Sequence, residues 1–252
     1  MANLTEKVAL ITGGASGIGR ATALAFAQEG AKVLISDIAE AKGQESVQLI
    51  RANAGEATFI KADVTKRDEV AALISTAITI YQQLDCAINN AGIQGVRQRT
   101  ADYPEDEWQQ VMDVNLNSVW YCMKFELDQM VKQGYGVIVN MASIAGLVGF
   151  PYHSAYAASK HAIVGLTKTA ALEYIRKGIR INAVCPSFTD TPMVQRVMQE
   201  QPDYAQRLID RVPARRMATP EEIAAAVLYL CSDQAGFVTG HTLVVDGGIT
   251  AG

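Results

Sequence analysis

Apolar positions along this chain fall into two alternating patterns. Short aliphatic and β-branched runs, four to six residues long, end at Gly, Asn, Asp or Ser. Between them lie stretches whose apolar residues recur at helical spacing. The first pattern predicts strands at 8–11, 32–36, 57–62, 85–89, 137–141, 180–185 and 242–245. The second predicts helices at 18–29, 41–53, 67–81, 104–133, 154–176 and 220–231. Val8-Ala9-Leu10-Ile11 is apolar without a break, as expected of a strand covered on both faces.

Seven strands alternating with six helices imply an α/β chain. The expected architecture is one domain with a doubly wound, seven-stranded parallel sheet of Rossmann type and right-handed crossovers. Such sheets bind ligands beyond the carboxyl ends of their strands, where strand order reverses. Chemistry is therefore expected just after Ile11, Ser36, Ala62, Ile88, Met141 and Cys185.

Composition narrows the function classes. Of 252 residues, 49% are hydrophobic and 19% charged, enough apolar material for a full core and too much for disorder. A net charge of −4 gives no electrostatic reason to bind nucleic acid or anionic lipid. The longest apolar run is nine residues, 223–231, and the first seven residues lack the apolar stretch of a signal peptide. No membrane span and a cytoplasmic location are expected. The four cysteines lie at least 36 residues apart, which suits buried thiols in a reducing compartment. Three histidines without ligand spacing suggest no metal site.

The first strand runs directly into Thr12-Gly13-Gly14-Ala15-Ser16-Gly17-Ile18-Gly19. Gly13, Gly17 and Gly19 permit a tight turn and let the backbone approach a pyrophosphate. The following helix N-terminus offers unsatisfied N–H groups and partial positive charge. Asp37 ends the second strand, eighteen residues past Gly19. A carboxylate there can accept from both hydroxyls of an adenosine ribose and repel a 2′-phosphate. Neither Ser16 nor Ile38 supplies a basic group for that phosphate, so the expected cofactor is NAD rather than NADP. Asp63, with the Val64 amide, can meet the adenine amino group or equally form the turn before the next helix.

Tyr156 and Lys160 share one helix face at i, i+4 spacing. A free phenol is a poor base at neutral pH, but a nearby ammonium favours its ionised form. Ser143 ends the fifth strand thirteen residues before Tyr156, on the same sheet edge, where its hydroxyl can polarise a carbonyl. Ile144, His153, Phe188 and the loop Ile93-Gln94-Gly95 flank this expected reacting centre. They suggest a mostly apolar pocket with a few polar groups, for a secondary alcohol or ketone of modest size, cyclic ones included, with His153 as a pocket or surface residue rather than a catalyst. Residues 188–217 stand where a substrate lid is expected, with Met193, Val194, Val197, Met198, Tyr204, Leu208 and Ile209 at roughly helical spacing. The helix at 154–176 carries few charges and small residues on several faces, so a second side is expected to meet another subunit.

Together these motifs resemble the short-chain dehydrogenase/reductase family over essentially the whole chain. The T-G-x-x-x-G-x-G pattern stands at 12–19, N-N-A-G as Asn89-Asn90-Ala91-Gly92, and Ser with Y-x-x-x-K as Ser143, Tyr156 and Lys160. The resemblance implies Tyr156 as general acid/base and Lys160 as the group that lowers its pKa and binds the nicotinamide ribose. It implies that Asn115 holds a water linking Lys160 to solvent, that Asn90 lies against the ribose, and that Asn89 tethers its strand. Thr189 and Thr191 match positions that bond the carboxamide and pyrophosphate. Pro186-Ser187 departs from the family's Pro-Gly. A homotetramer is also implied. Other readings are an NADPH-dependent ketone or 3-oxoacyl reductase, and a non-catalytic dinucleotide-binding regulator.

Overall fold

The computed structural model describes residues 4–200 and 202–251; the side chains of residues 197, 200 and 202–205 fall outside that description. Seven parallel strands, β1 (Val8–Thr12), β2 (Lys32–Asp37), β3 (Glu56–Lys61), β4 (Cys86–Asn89), β5 (Gly136–Met141), β6 (Ile179–Pro186) and β7 (Thr242–Val245), form one sheet. Their order is β3-β2-β1-β4-β5-β6-β7. The chain winds outward from β1 to β3, then returns to place β4 on the other side of β1. That reversal puts the switch point between the carboxyl ends of β1 and β4.

Strand side chains alternate between faces, and so two cores form. Ala9 and Ile11 of β1, with Val33 and Ile35 of β2, pack against Phe26 of α1 (Gly17–Gln28), Val47 and Ile50 of α2 (Glu40–Ala52), and Ile223 and Val227 of α9 (Pro220–Cys231). Leu10 and Leu34 face the other way, toward Leu73 of α3 (Arg67–Tyr81), Met123 of α5 (Ser118–Gln133) and Ile163 of α6 (Ser154–Tyr174). Each buried aliphatic side chain of this kind stabilises the fold by roughly 1.5–3 kcal/mol.

Two expectations about the helices need correction. The stretch expected as one helix at 104–133 is α4 (Glu105–Met112), a π-helical turn (Asp113–Asn117) and then α5. Helical periodicity does not register one extra residue per turn, and the turn is pinned from outside by Ile93 and Ser159, which bond Asn115 within it. Nine α-helices stand among the described residues rather than six, because α7 (Pro192–Glu200) and α8 (Pro202–Asp210) also occupy the expected lid. Val197 and Tyr204 of the predicted lid stripe have side chains outside the described residues. All four cysteines are free and buried. No helix among the described residues is long and apolar enough to cross a membrane.

Candidate active site

The glycine loop leaves β1 at the switch point and is stitched to β4. Thr12 Oγ1 accepts from the Asn90 and Ala91 amides at 3.0 and 3.2 Å. The Asn90 side-chain amide donates to the carbonyls of Thr12 and Gly13 at 3.0 and 3.2 Å. Asn90 thus braces the loop, although it also lines the cavity beside it. Gly13 has φ +66, and a Cβ there would come within 2.9 Å of the Ala91 Cα; a Cβ on Gly19 would strike the Gly13 carbonyl. Only glycine satisfies this close return of the chain.

A cavity of about 410 Å³ runs over the loop and the start of α1. At one end stands Asp37. Its Oδ2 accepts from the Ala15 amide at 3.1 Å and its Oδ1 from the Ala39 amide at 2.9 Å. Each oxygen retains a second acceptor site. Ile38, exposed, and Val64 supply apolar wall nearby. Asp63 also lines the cavity, but its Oδ1 takes the Thr65 amide at 2.9 Å and the Thr65 hydroxyl at 2.7 Å. That oxygen is therefore committed to the turn preceding α3.

At the other end the cavity reaches Ser143, Tyr156 and Lys160. Ser143 stands two residues beyond β5 and accepts from the Ala145 amide at 3.2 Å, starting a short turn (Ile144–Gly146). Gly146 then abuts α6 so closely that a Cβ would lie 2.6 Å from the Lys160 carbonyl. This contact sets the first turns of α6, with Tyr156 and Lys160, against Ser143. Burial pushes the Tyr156 phenol above its ordinary pKa, and a hydrogen bond with the Ser143 side chain opposes that rise. Burial lowers Lys160 to about 8. Its ammonium donates to the Met141 carbonyl at 2.8 Å and sits 5.6 Å from the centre of the Tyr156 ring. In the chain alone, the counterweight to burial is the Ser143 side chain.

Asn115, in the π-helical turn, pairs with the backbone of Ile93. Its Oδ1 accepts from the Ile93 amide and its Nδ2 donates to the Ile93 carbonyl, both at 2.8 Å; Nδ2 also reaches Ser159 Oγ at 3.2 Å. Its side chain therefore ties the loop after β4 to α6. The Asn115 Oδ1 and Lys160 Nζ both face Gly92, where an added Cβ would lie 3.3 and 3.6 Å from them.

Of the expected substrate residues, Gln94, Ile144, His153 and Phe188 are not among those that line this cavity. Ile144 is buried in the turn after Ser143. His153 is buried, its Nδ1 donating to the Pro151 carbonyl at 3.1 Å and its Nε2 accepting from the Gln94 amide at 3.1 Å. Desolvation lowers its pKa, which keeps that neutral tautomer. Phe150 stacks between His153 and Phe188, with ring centres 4.8 and 6.4 Å away.

Ile93, Gln110, Val114, Pro186, Ser187, Met193 and Val194 do line the cavity. Gln110 and Val114 are not among the residues expected from sequence; their i, i+4 spacing just before Asn115 is the signal that marks them. Thr189 is buried, donating to the Ser187 carbonyl at 3.1 Å, and Thr191 Oγ1 accepts from the Val194 amide at 3.4 Å at the start of α7. Ser187 is not in the left-handed region, so its side chain is accommodated without backbone strain.

One cavity thus joins a carboxylate to a phenol–ammonium pair, with a glycine loop and helix N-terminus between. Its residues fit an extended dinucleotide: a bulkier loop would close the approach that Gly13 and Gly19 leave open. Fold and site together define an oxidoreductase that uses a nicotinamide coenzyme. The sequence model of a family described as enoyl-(acyl carrier protein) reductase matches residues 13–250. A cyclohexanol dehydrogenase of Acinetobacter sp. is 44% identical, over 98% of this chain and 96% of its own. A 3-oxoacyl-[acyl-carrier-protein] reductase of Thermotoga maritima is 38% identical, over 98% of both. The solved structure of an NAD⁺-bound xylitol dehydrogenase superposes with a TM-score of 0.94 at 34% identity, over 97% of this chain and 99% of that one. The chain belongs to the short-chain dehydrogenase/reductase family.

Proposed function

We propose that this protein is an NAD-dependent dehydrogenase that interconverts a secondary alcohol, cyclic and of modest size, with its ketone. The observation that carries this reading is the single cavity linking Asp37 to Ser143, Tyr156 and Lys160. Gly13, Ser16, Gly17, Ile18 and Gly19 would hold the pyrophosphate, Asp37 the adenosine ribose, and Ile38, Asp63 and Val64 the adenine. Thr189, Thr191 and Lys160 would hold the nicotinamide half, which when bound takes up or returns the hydride of the carbinol carbon. Asn90 and Asn115 keep the surrounding loops in place.

Ser143 holds the reacting oxygen beside Tyr156. Tyr156 takes the hydroxyl proton during oxidation and returns it during reduction. Lys160, with a pKa brought to about 8, can pass that proton onward near neutral pH. Helices α7 and α8 form the lid, with Met193 and Val194 on the cavity wall. The cyclohexanol dehydrogenase relative favours the cyclic alcohol. Four free buried thiols favour the cytoplasm. Exposed Leu172, Tyr229, Phe237 and Val244 favour a homotetramer. A second reading, an NADPH-dependent oxoacyl reductase, is favoured by the matched family's description and the Thermotoga relative. The Asp37 carboxylate opposes it, because it would face a 2′-phosphate. A panel of cyclic secondary alcohols, followed by absorbance of the reduced coenzyme, decides between them. Turnover with NAD at a far lower KM than with NADP is expected; preference for NADP and for oxoacyl thioesters would overturn the first reading.

A further inference from the structure

Arg20 is the first basic residue after the glycine loop, one turn into α1. Its position invites the idea of a phosphate ligand, but its guanidinium turns toward α2. Its two terminal nitrogens donate to Glu45 Oε1 and Oε2 at 3.1 and 3.2 Å, a fork-to-fork pair, and one also reaches the Lys42 carbonyl at 3.2 Å. Nε is shared between Ser46 Oγ at 2.9 Å and the Ala15 carbonyl at 3.0 Å. Ser46 is fully buried and donates in turn to the Lys42 carbonyl at 3.1 Å.

Ala15 is therefore held on both sides of its backbone. Its carbonyl meets Arg20, and its amide donates to Asp37 Oδ2 at 3.1 Å. The contacts form one line: α2, Arg20, Ala15, Asp37. If Ala15 shifts, Asp37 loses the amide that fixes one of its oxygens, and the Ala39 amide alone leaves the carboxylate free to rotate. From this we infer that Arg20, anchored by Glu45 and Ser46, is a positioning residue that fixes the Asp37 carboxylate for recognition of the coenzyme ribose. The guanidinium acts through the loop backbone, and its charge is paired with Glu45. This inference rests on the reading of Asp37 as the ribose ligand.

The test is a double-mutant cycle read by NADH and NADPH fluorescence titration, which needs no known substrate. Arg20→Met is expected to weaken NADH binding by about tenfold while changing NADPH binding by less than about threefold. In an Asp37→Ala background the same substitution should have almost no further effect on NADH. Steady-state KM for NAD should rise in Arg20→Met with kcat unchanged at saturation. Equal losses for both coenzymes, or full additivity with Asp37→Ala, would overturn the inference and mark Arg20 as a general brace. Should Arg20→Met fail to fold by circular dichroism, Glu45→Gln loosens the same fork and must show the same selective loss at smaller size. The wild-type titration separates the two claims. Equal wild-type affinity for NADH and NADPH would refute the NAD reading, whereas a wild type that prefers NADH but shows no coupling refutes the clamp alone.

Discussion

Lys160 and Glu126 make an instructive pair. Both side chains are buried, and burial moves both toward the same point: Lys160 down to about 8 and Glu126 up to about 8. Both sit in polar clusters against β5. Glu126 Oε2 accepts from the Asn89 side chain at 3.1 Å, Asn89 also donates to Asn140 Oδ1 at 3.0 Å, and Asn140 donates to Thr167 Oγ1 at 3.0 Å. The difference is access. Lys160 opens on the 410 Å³ cavity with Tyr156 and Ser143 beside it, whereas Glu126 does not line that cavity and packs among Asn89, Cys122 and β-sheet side chains. The same desolvation makes a usable proton carrier in one place and a silent acid in the other. A displaced pKa points to chemistry only where a substrate can reach the group.

The open cluster should be the more sensitive in activity. Tyr156→Phe removes the only phenolic oxygen in it, and kcat should fall by about 10³–10⁴-fold while NADH binding persists. Near-normal turnover in that variant would end the distinction between the clusters. Ser143→Ala should cost less, about 10²-fold in kcat, because it removes one donor aimed at the reacting oxygen. It also removes the hydrogen bond that opposes the rise of the Tyr156 pKa. In alcohol oxidation, where Tyr156 must be ionised to take the proton, the ascending, low-pH limb of the rate profile should therefore move to higher pH. Measuring kcat against pH in both proteins checks the shift, and an unmoved limb would mean that Ser143 positions substrate without tuning the phenol.

Sequence reading went furthest where local covalent chemistry dictates structure. The continuous run at 8–11 and the glycines after it leave little choice but a buried strand and a tight turn. The seven-strand parallel sheet followed from alternation alone, and strand boundaries fell within one or two residues. It went less far where the deciding contact is long-range. The π-helical turn at Asn115 depends on Ile93, twenty-two residues earlier, and on Ser159. The ring nitrogens of His153 are engaged by Pro151 and by Gln94, fifty-nine residues earlier, a pairing that no local pattern announces. Asp63 was evenly balanced between ligand and turn, and the Thr65 hydroxyl that engages it is visible in sequence only as one residue among many. Nothing local in the sequence distinguishes Arg20 as a clamp from an ordinary surface charge; its partners Glu45 and Ser46 lie twenty-five and twenty-six residues further on.

The closed cluster gives the smallest effect on activity and a distinct effect on stability. Glu126 is raised to about 8 in the folded protein from an ordinary 4.5. Between those values the folded chain retains a proton that the unfolded chain has released. Stability from this group is therefore full below pH 4.5, declines as pH rises, and levels off above pH 8. By pH 7 the decline amounts to roughly 3 kcal/mol. Glu126→Gln keeps the shape of the neutral acid and still offers an oxygen to Asn89, but it has no proton to lose. Denaturant midpoints for the two proteins should be close at pH 5 and diverge steadily toward pH 8, with the glutamine variant the more stable at the alkaline end. Its kcat should stay within about twofold of wild type, since no atom of residue 126 meets the cavity. Parallel stability profiles would mean that the buried carboxyl ionises as freely as an exposed one, and the contrast with Lys160 would then be one of charge sign alone, not of access.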